Sequence, residues 1–190
     1  MIGKNQLAIK RGFDFTLALL CLPVLILPIV ALILFSSIDL KSFGLFRQDR
    51  VGQNGKIFKI NKIKTFKPHM DRPSKFGQFL RKTKLDELPQ VFNVLFGTMS
   101  FVGPRPDLLG QADQLSGGDR IILKVKPGIT GPATLKYRNE ENLLTDVLTS
   151  ETEEYIWKDK VRINKNYANN WSFYLDLQIL IRTISMKKYE

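Results

Sequence analysis

A stretch without a charge, Phe15 to Phe35, sets the first limit on how this chain can fold. As an α-helix it would reach about 30 Å, enough to span the hydrocarbon core of a bilayer. Two features complicate a simple crossing. Pro23 and Pro28 lie mid-run, where each removes a backbone hydrogen bond and bends a helix. The flanks are basic on both sides, with Lys4, Lys10 and Arg11 before the run and Lys41, Arg47 and Arg50 after it. The positive-inside rule assigns such flanks to the cytoplasm and would put both ends there. On these grounds a single transmembrane anchor and a broken helix that dips in and returns both stay open. A signal peptide is disfavoured, because the apolar region is too long and no small-residue cleavage site follows.

The remainder is large enough for one domain with a real core. Over the whole chain, 29 Lys plus Arg against 18 Asp plus Glu leave a net charge of +11, which points to polyanions: nucleic acid, anionic lipid or phosphorylated small molecules. The lone Cys21 excludes an intramolecular disulfide and reads as a buried, inert thiol. One Cys and one His rule out a zinc cluster, and His69 reads as solvated. Asn54-Gly55 predicts a hairpin between Leu45 and Lys64. The second strand carries lysines 56, 59, 62 and 64, giving an expected cationic face that is mostly solvated. A short helix is expected over Phe76–Lys82, and a second runs from the Asp86-Glu87 pair to a stop at Gly97. Residues 107–125 read as helical with a break at Gly117-Gly118, and Lys126 to Pro132 as a turn-rich loop without regular structure. Residues 151–168 read as a charged helix. Trp171 to Met186, followed by Lys187-Lys188, fits a packed core helix or one lying at a membrane interface.

The chemistry concentrates between Asp86 and Pro106, LDELPQVFNVLFGTMSFVGPRP counted from Leu85. Carboxylates at a helix start sit at the positive end of its dipole and should stay ionised. On a helix, neighbours point about 100° apart, so Asp86 and Glu87 should not share one proton. Separate tasks fit better: one attacks or takes a proton, the other holds a divalent cation, with magnesium favoured by all-oxygen ligands. Helix capping is the plain alternative for such a pair. Arg81, Arg105 and Arg138 stand in or beside turn-rich segments, where a planar guanidinium suits a diphosphate. No Walker loop, dinucleotide fingerprint or catalytic triad is present.

These residues carry a family resemblance. KRGFDF at 10–15, RVGQNGKIFKINKIKT at 50–65, KFGQFLRKTKLDELPQVFNVLFGTMSFVGPRP at 75–106, VKPGITGPATLKYRN at 125–139 and NWSFYLDLQILIRTI at 170–184 cover most of the chain. In that order they resemble the small monotopic phosphoglycosyl transferases, the bacterial sugar transferase family. The resemblance implies transfer of a sugar 1-phosphate from a UDP-sugar to polyprenyl (undecaprenyl) phosphate with release of UMP, the first membrane step of glycan biosynthesis. It implies an α+β, mostly helical fold. By the same resemblance, residues 1–38 are expected to form a re-entrant membrane helix broken at Leu27-Pro28. It further implies that residues 39–190 form one compact catalytic domain, with a β-hairpin and amphipathic interfacial helices, on the cytoplasmic face of the bacterial inner membrane. Asp86 matches the nucleophile of a covalent, ping-pong mechanism, and Glu87 its partner beside Mg2+. Arg81, Arg105 and Arg138 match phosphate- or nucleotide-binding residues, with Lys64 a further match of that kind. Membrane lipids are implied partners, with a homodimer or downstream glycosyltransferases admitted and nucleic acid not expected.

Three departures stand out. Leu27-Pro28 replaces a Ser-Pro pair common in the family and lacks its hydroxyl; Thr98 stands where relatives often carry Asp, so it receives no metal role. The Phe66 to Lys75 connection is short, and contacts that relatives place there do not transfer. The competing reading is a non-catalytic, membrane-anchored polyanion-binding protein that uses the +11 charge alone.

Overall fold

In the computed structural model, residues 3–67, 72–138 and 150–185 are described; His69 and Lys187-Lys188 lie outside the described residues. Helix α1 (Lys4–Leu40) contains both Pro23 and Pro28 and is about 55 Å long. It is long and apolar enough to cross a membrane. One stripe, spaced three and four residues apart, faces the rest of the protein. Its middle is apolar: Ala18 and Ile29 are buried with Ile60, Val91, Val94 and Met99, and Leu22, Leu25 and Ile33 pack beside them. Its ends are polar. At the start, Lys10 pairs with Asp176, Arg11 donates to the Val94 and Leu95 carbonyls, and the Asp14 carboxylate accepts from the Phe101 amide at 3.0 Å. At the finish, Ser36 donates to the Lys64 carbonyl at 2.6 Å and Asp39 accepts from Ser74. The opposite side of α1, including Leu20, Val24, Leu27 and Ile38, is exposed. Cys21, at the edge of the inward stripe beside Ala18 and Leu25, is half-buried, less enclosed than expected from its apolar surroundings in the sequence.

Strands β1 (Leu45–Val51) and β2 (Ile57–Ile63) form the expected antiparallel hairpin, with Leu45 opposite Ile63 and Val51 opposite Ile57. Asn54 and Gly55 take positive φ at its tip, as their sequence requires. The two lysines within β2, Lys59 and Lys62, do not share a face, and Lys64 lies just beyond the strand. Lys59 points to solvent and pairs with Asp49, Lys62 turns inward on the side of buried Ile60, and Lys64 donates to Ser42 Oγ. Alternation along the strand forces that division, since positions 59 and 62 differ in parity.

Helix α2 (Lys75–Thr83) is capped by Ser74, whose hydroxyl accepts from the Gly77 amide at 2.9 Å. Helix α3 (Gln90–Leu95) stops before Gly97, which has a φ of +81°. Asn93 docks α3 on the hairpin: its Nδ2 donates to the Lys59 carbonyl, and its Oδ1 accepts from the Asn61 backbone and side chain. Asp86 and Glu87 are not in a helix; they lie on a single 3-10 turn, Leu85–Glu87, ahead of it.

The largest departure from expectation lies between 100 and 130. Strands β3 (Ser100–Val102) and β4 (Gly128–Thr130) pair in parallel, so the KPGITGP loop does contain regular structure. The pairing needs an unusually close approach. A Cβ on Gly128 would collide with the Gly103 backbone, and one on Gly131 with the Gly103 carbonyl. Residues 107–125 are not α-helical; they hold two 3-10 segments, Ala112–Gln114 and Gly117–Lys124. Positive φ at Gly110 and Gly117 interrupts the helical path there.

Helices α4 (Pro132–Lys136), α5 (Ser150–Asn169) and α6 (Phe173–Ile184) complete the described chain, which is mostly helical with two small sheets. A core of Val102, Val125, Leu135, Tyr167, Trp171 and Ile179 surrounds Asp176. Besides Lys10, that carboxylate accepts from Tyr167 Oη at 2.7 Å and Trp171 Nε1 at 3.0 Å. Helix α6 thus packs Asp176 and Ile179 inward and leaves Tyr174, Ile181 and Ile184 exposed. Removing the cation should be costly, because it strands a buried charge. Lys10→Met is expected to lower stability by about 3–5 kcal/mol, measured by denaturant unfolding in detergent micelles.

Candidate active site

Helix α2 ends on Lys84, whose left-handed conformation (φ 57°) reverses the chain into the Leu85–Glu87 turn. Both carboxylates on that turn are buried, Asp86 to 7% exposure and Glu87 to 9%. Their surroundings differ sharply. Glu87 Oε1 accepts from Arg105 NH2 at 2.9 Å and from Lys62 Nζ at 3.1 Å. Asp86 Oδ1 is buried with no hydrogen-bond partner.

The electrostatics follow. Burial pushes the Glu87 carboxyl up, but the charges of Arg105 and Lys62 more than offset it and bring it down to about 2. Burial pushes Asp86 up as well, and the adjacent Glu87 charge adds to the rise. Lys62, Arg81 and Lys84 only partly oppose it. The helix-start argument therefore holds for Glu87 only through its cationic partners, and for Asp86 desolvation wins. The pair carries two different tendencies: one carboxylate is clamped as an anion, and the other is raised in energy when ionised.

Arg105 reaches Glu87 because the Gly-Pro-Arg-Pro segment is held against β4. The Gly103 amide donates to the Thr130 carbonyl at 2.9 Å, and the Gly128 amide donates to the Pro104 carbonyl at 2.8 Å. The resulting cleft is lined by Arg50, Lys62, Glu87, Gln90, Arg105 and Gly128, among others. Arg50 comes from the end of β1, and its NH1 donates to the Pro106 carbonyl at 3.1 Å. Burial, and then the nearby Arg105 charge, lower the pKa of Arg50. Two guanidiniums and an ammonium converge around Glu87, with Asp107 also acting on Arg50, and planar guanidiniums in such a cleft suit a phosphate or diphosphate.

The residues singled out from sequence are not all gathered here. Glu87 and Arg105 are brought together in the cleft, and Asp86 adjoins Glu87 on the same turn without lining it. Arg81, in the last turn of α2, acts on Asp86 through its charge and sits 5.4 Å from the Phe66 ring. Arg138 donates to the Thr183 carbonyl at 2.9 Å, tying the end of α4 to α6, and does not line this cleft. Lys64 is engaged with Ser42 at the α1–β1 junction. Leu27 and Pro28 lie on the exposed side of α1. Two cations of the cleft, Lys62 and Arg50, had not been singled out as site residues. Lys62 had a legible signal, its shared strand face with Ile60; Arg50 had none, because its place depends on the hairpin meeting the 103–107 segment.

Among the described residues no three His, Cys, Asp or Glu side chains gather as a metal cluster. A magnesium ion needs no such cluster: it is commonly held by one or two carboxylates plus substrate phosphate oxygens. The unpartnered Asp86 Oδ1 beside Glu87 fits that donor set.

The sequence as a whole is similar to known proteins. It is 35% identical over 189 residues to the uncharacterized sugar transferase EpsL of Bacillus subtilis (strain 168), covering 93% of this chain and 85% of that protein. It is 37% identical over 200 residues to the UDP-glucose:undecaprenyl-phosphate glucose-1-phosphate transferase of Escherichia coli (strain K12). That match covers 96% of this chain and only 40% of the relative, so the chain spans less than half of that protein's length. The exopolysaccharide production protein ExoY of Sinorhizobium fredii (strain NBRC 101917 / NGR234) is 30% identical over 205 residues, with 92% and 83% covered. The family model for bacterial sugar transferases matches residues 5–188. With nearly its whole length matched, and with the buried carboxylate pair and its cations in that span, the chain belongs to the bacterial sugar transferase family.

Proposed function

We propose that this transferase moves a sugar 1-phosphate from a UDP-sugar to polyprenyl phosphate through a covalent intermediate on Asp86. The observation that carries the reading is the unequal carboxylate pair, with Glu87 clamped by Lys62 and Arg105 and Asp86 Oδ1 buried without a partner. A desolvated carboxylate is a stronger nucleophile than a hydrated one, and Asp86 adjoins Glu87, which lines a cleft whose cations can hold a diphosphate. In the first step an Asp86 oxygen bonds to the sugar-proximal phosphorus. The bond from that phosphorus to the bridging oxygen breaks, and UMP leaves with the electron pair. In the second step an oxygen of polyprenyl phosphate attacks the same phosphorus and the aspartyl P–O bond breaks. The product is a polyprenyl diphosphate sugar, and Asp86 is free again.

Arg105 and Arg50 would neutralise the departing phosphate, and Lys62 would hold Glu87 ionised. Mg2+, held by Glu87 and Asp86, would supply further charge neutralisation at the phosphates. The names of relatives support the acceptor class: those in Escherichia coli and Klebsiella pneumoniae are named as UDP-glucose:undecaprenyl-phosphate glucose-1-phosphate transferases. The alternative of polyanion binding without chemistry leaves the buried, unpartnered Asp86 oxygen unexplained, since such a group is costly unless it is used.

The same reading makes the protein monotopic, on the cytoplasmic face of the bacterial inner membrane. Support comes from α1, whose two polar ends bind the same body, Lys10 and Arg11 at one end and Ser36 and Asp39 at the other. A helix crossing the bilayer would carry one of those ends to the far side. A re-entrant path bent near Leu27-Pro28 keeps both on one side.

Three outcomes are expected. Asp86→Asn should abolish turnover and the trapping of radiolabelled phosphosugar on the protein; full activity in that variant would refute the nucleophile. Lys62→Met should move the acid limb of the kcat/KM pH profile to higher pH, because the lost ammonium lowers the pKa of Asp86 and the ionised form is required. A shift to lower pH would contradict the assignment. Finally, in a Cys21→Ser background, cysteines at Gly3 and Phe43 should both react with an impermeant thiol reagent only from the cytoplasmic face. Labelling of the two from opposite faces would mean that α1 crosses.

A further inference from the structure

Beside the cationic cleft lies a second cavity of quite different chemistry. It measures about 240 Å³ and is lined by Gly110, Gln111, Gln114, Leu115 and Trp157, none of them charged. We propose that this cavity is the nucleobase subsite, and that it takes the uracil ring of the nucleotide whose phosphates lie over Arg50 and Arg105. The inference rests on the transferase reading and adds the place where the donor's base is held.

The lining suits a flat, uncharged, hydrogen-bonding ring. Trp157, in the early turns of α5, is half-buried against the cluster of Val51, Ala112 and Leu123, which fixes its indole at the cavity wall. An indole face is a sequence-tolerant stacking platform for a base. Gln111 and Gln114 are exposed and stand three residues apart around the Ala112–Gln114 3-10 turn, a spacing that puts both side chains on one side. Each carboxamide offers an acceptor and donors. That matches the edge of uracil, which presents one N–H between two carbonyl oxygens. None of the lining side chains is a cation for a phosphate, the nearby Arg120 being engaged with the Leu115 carbonyl at 3.0 Å, and a polyprenyl tail would meet two exposed amides.

The position is right for a molecule that also reaches the cleft. Two segments run from one site to the other. On β1, Arg50 lines the cleft, and the next residue, Val51, belongs to the cluster beneath Trp157. On the loop after β3, Arg105 and Pro106 line the cleft and Gly110 borders the cavity. The two segments are joined between the sites, where the Val51 amide donates to the Asp107 carbonyl at 3.1 Å. Four residues of extended chain reach at most about 14 Å, so the cavity cannot lie far from the phosphate-binding cations.

The test uses the full-length protein in detergent micelles and UMP as the probe. The chain has two tryptophans, and Trp171 is buried in the core, so a fluorescence change on adding UMP should come from Trp157. The expected results are UMP-dependent quenching that disappears in Trp157→Phe, and a loss of UMP affinity of about 5- to 150-fold in Trp157→Ala. KM for the UDP-sugar should rise with kcat nearly unchanged. Because Trp157 also packs against the protein, the double variant Gln111→Leu with Gln114→Leu gives a check at exposed positions, and it too should weaken UMP. Undiminished calorimetric UMP binding in both variants would overturn the subsite while leaving the transferase reading intact. Quenching by a sugar 1-phosphate but not by UMP would reassign the cavity to the sugar and overturn the proposal. A wild-type protein that binds no UMP at all would overturn the transferase reading with it.

Discussion

A buried carboxylate, Asp176, can exist in this core only because Lys10, Tyr167 and Trp171 all converge on it. Those partners come from α1, α5 and the turn before α6, so satisfying one charge fixes three elements to one another. The Tyr167 hydroxyl also lies 3.2 Å from the Val102 carbonyl, which brings β3 into the same arrangement. From β3 the chain enters the Gly-Pro-Arg-Pro segment directly. The long apolar helix and the Gly-Pro-Arg-Pro segment are therefore referenced to a common point, and the start of α1 cannot move independently of the candidate site.

The second constraint is steric. Parallel pairing of β3 with β4 requires three glycines, at 103, 128 and 131, to meet without side chains between them. That contact places Arg105 over Glu87, while Asn93 holds α3 to β2 and brings Lys62 to the same oxygen. Neighbouring carboxylates then acquire opposite tendencies. Glu87 has the cations and is pulled down to about 2, whereas Asp86 has the burial without the hydrogen bonds and is pushed up. Asymmetry of this kind is what lets two adjacent acids perform different tasks. It is a product of packing, because on the bare sequence both sit equally near the start of a helix.

Local signals were read well where the physics is local. Asn54-Gly55 announced a hairpin because both residues tolerate positive φ. Gly97 ended α3, and α5 and α6 follow from their periodicity. Readings failed where a distant partner decides. The KPGITGP segment looked irregular because glycine and proline discourage strands, yet its glycines are what permit β4 to approach the 103 backbone. The lysines of β2 looked like one solvated face, but Lys62 is drawn inward by Glu87, 25 positions along the chain. Arg50 carried no local mark at all, since its role depends on the Pro106 carbonyl reaching it.

By itself the sequence determined a long apolar helix with basic flanks, the hairpin, the carboxylate pair and, through its ordered motifs, membership in the family. These follow from local periodicity, turn stereochemistry and residue identity, which need no knowledge of the fold. Only the tertiary structure decided which cations belong to which carboxylate, and that both polar ends of α1 bind one body. It also set an uncharged, tryptophan-walled cavity beside the cationic cleft. Each of these joins residues far apart in the chain, and desolvation and Coulomb interactions depend on distances in space that the order of residues does not contain.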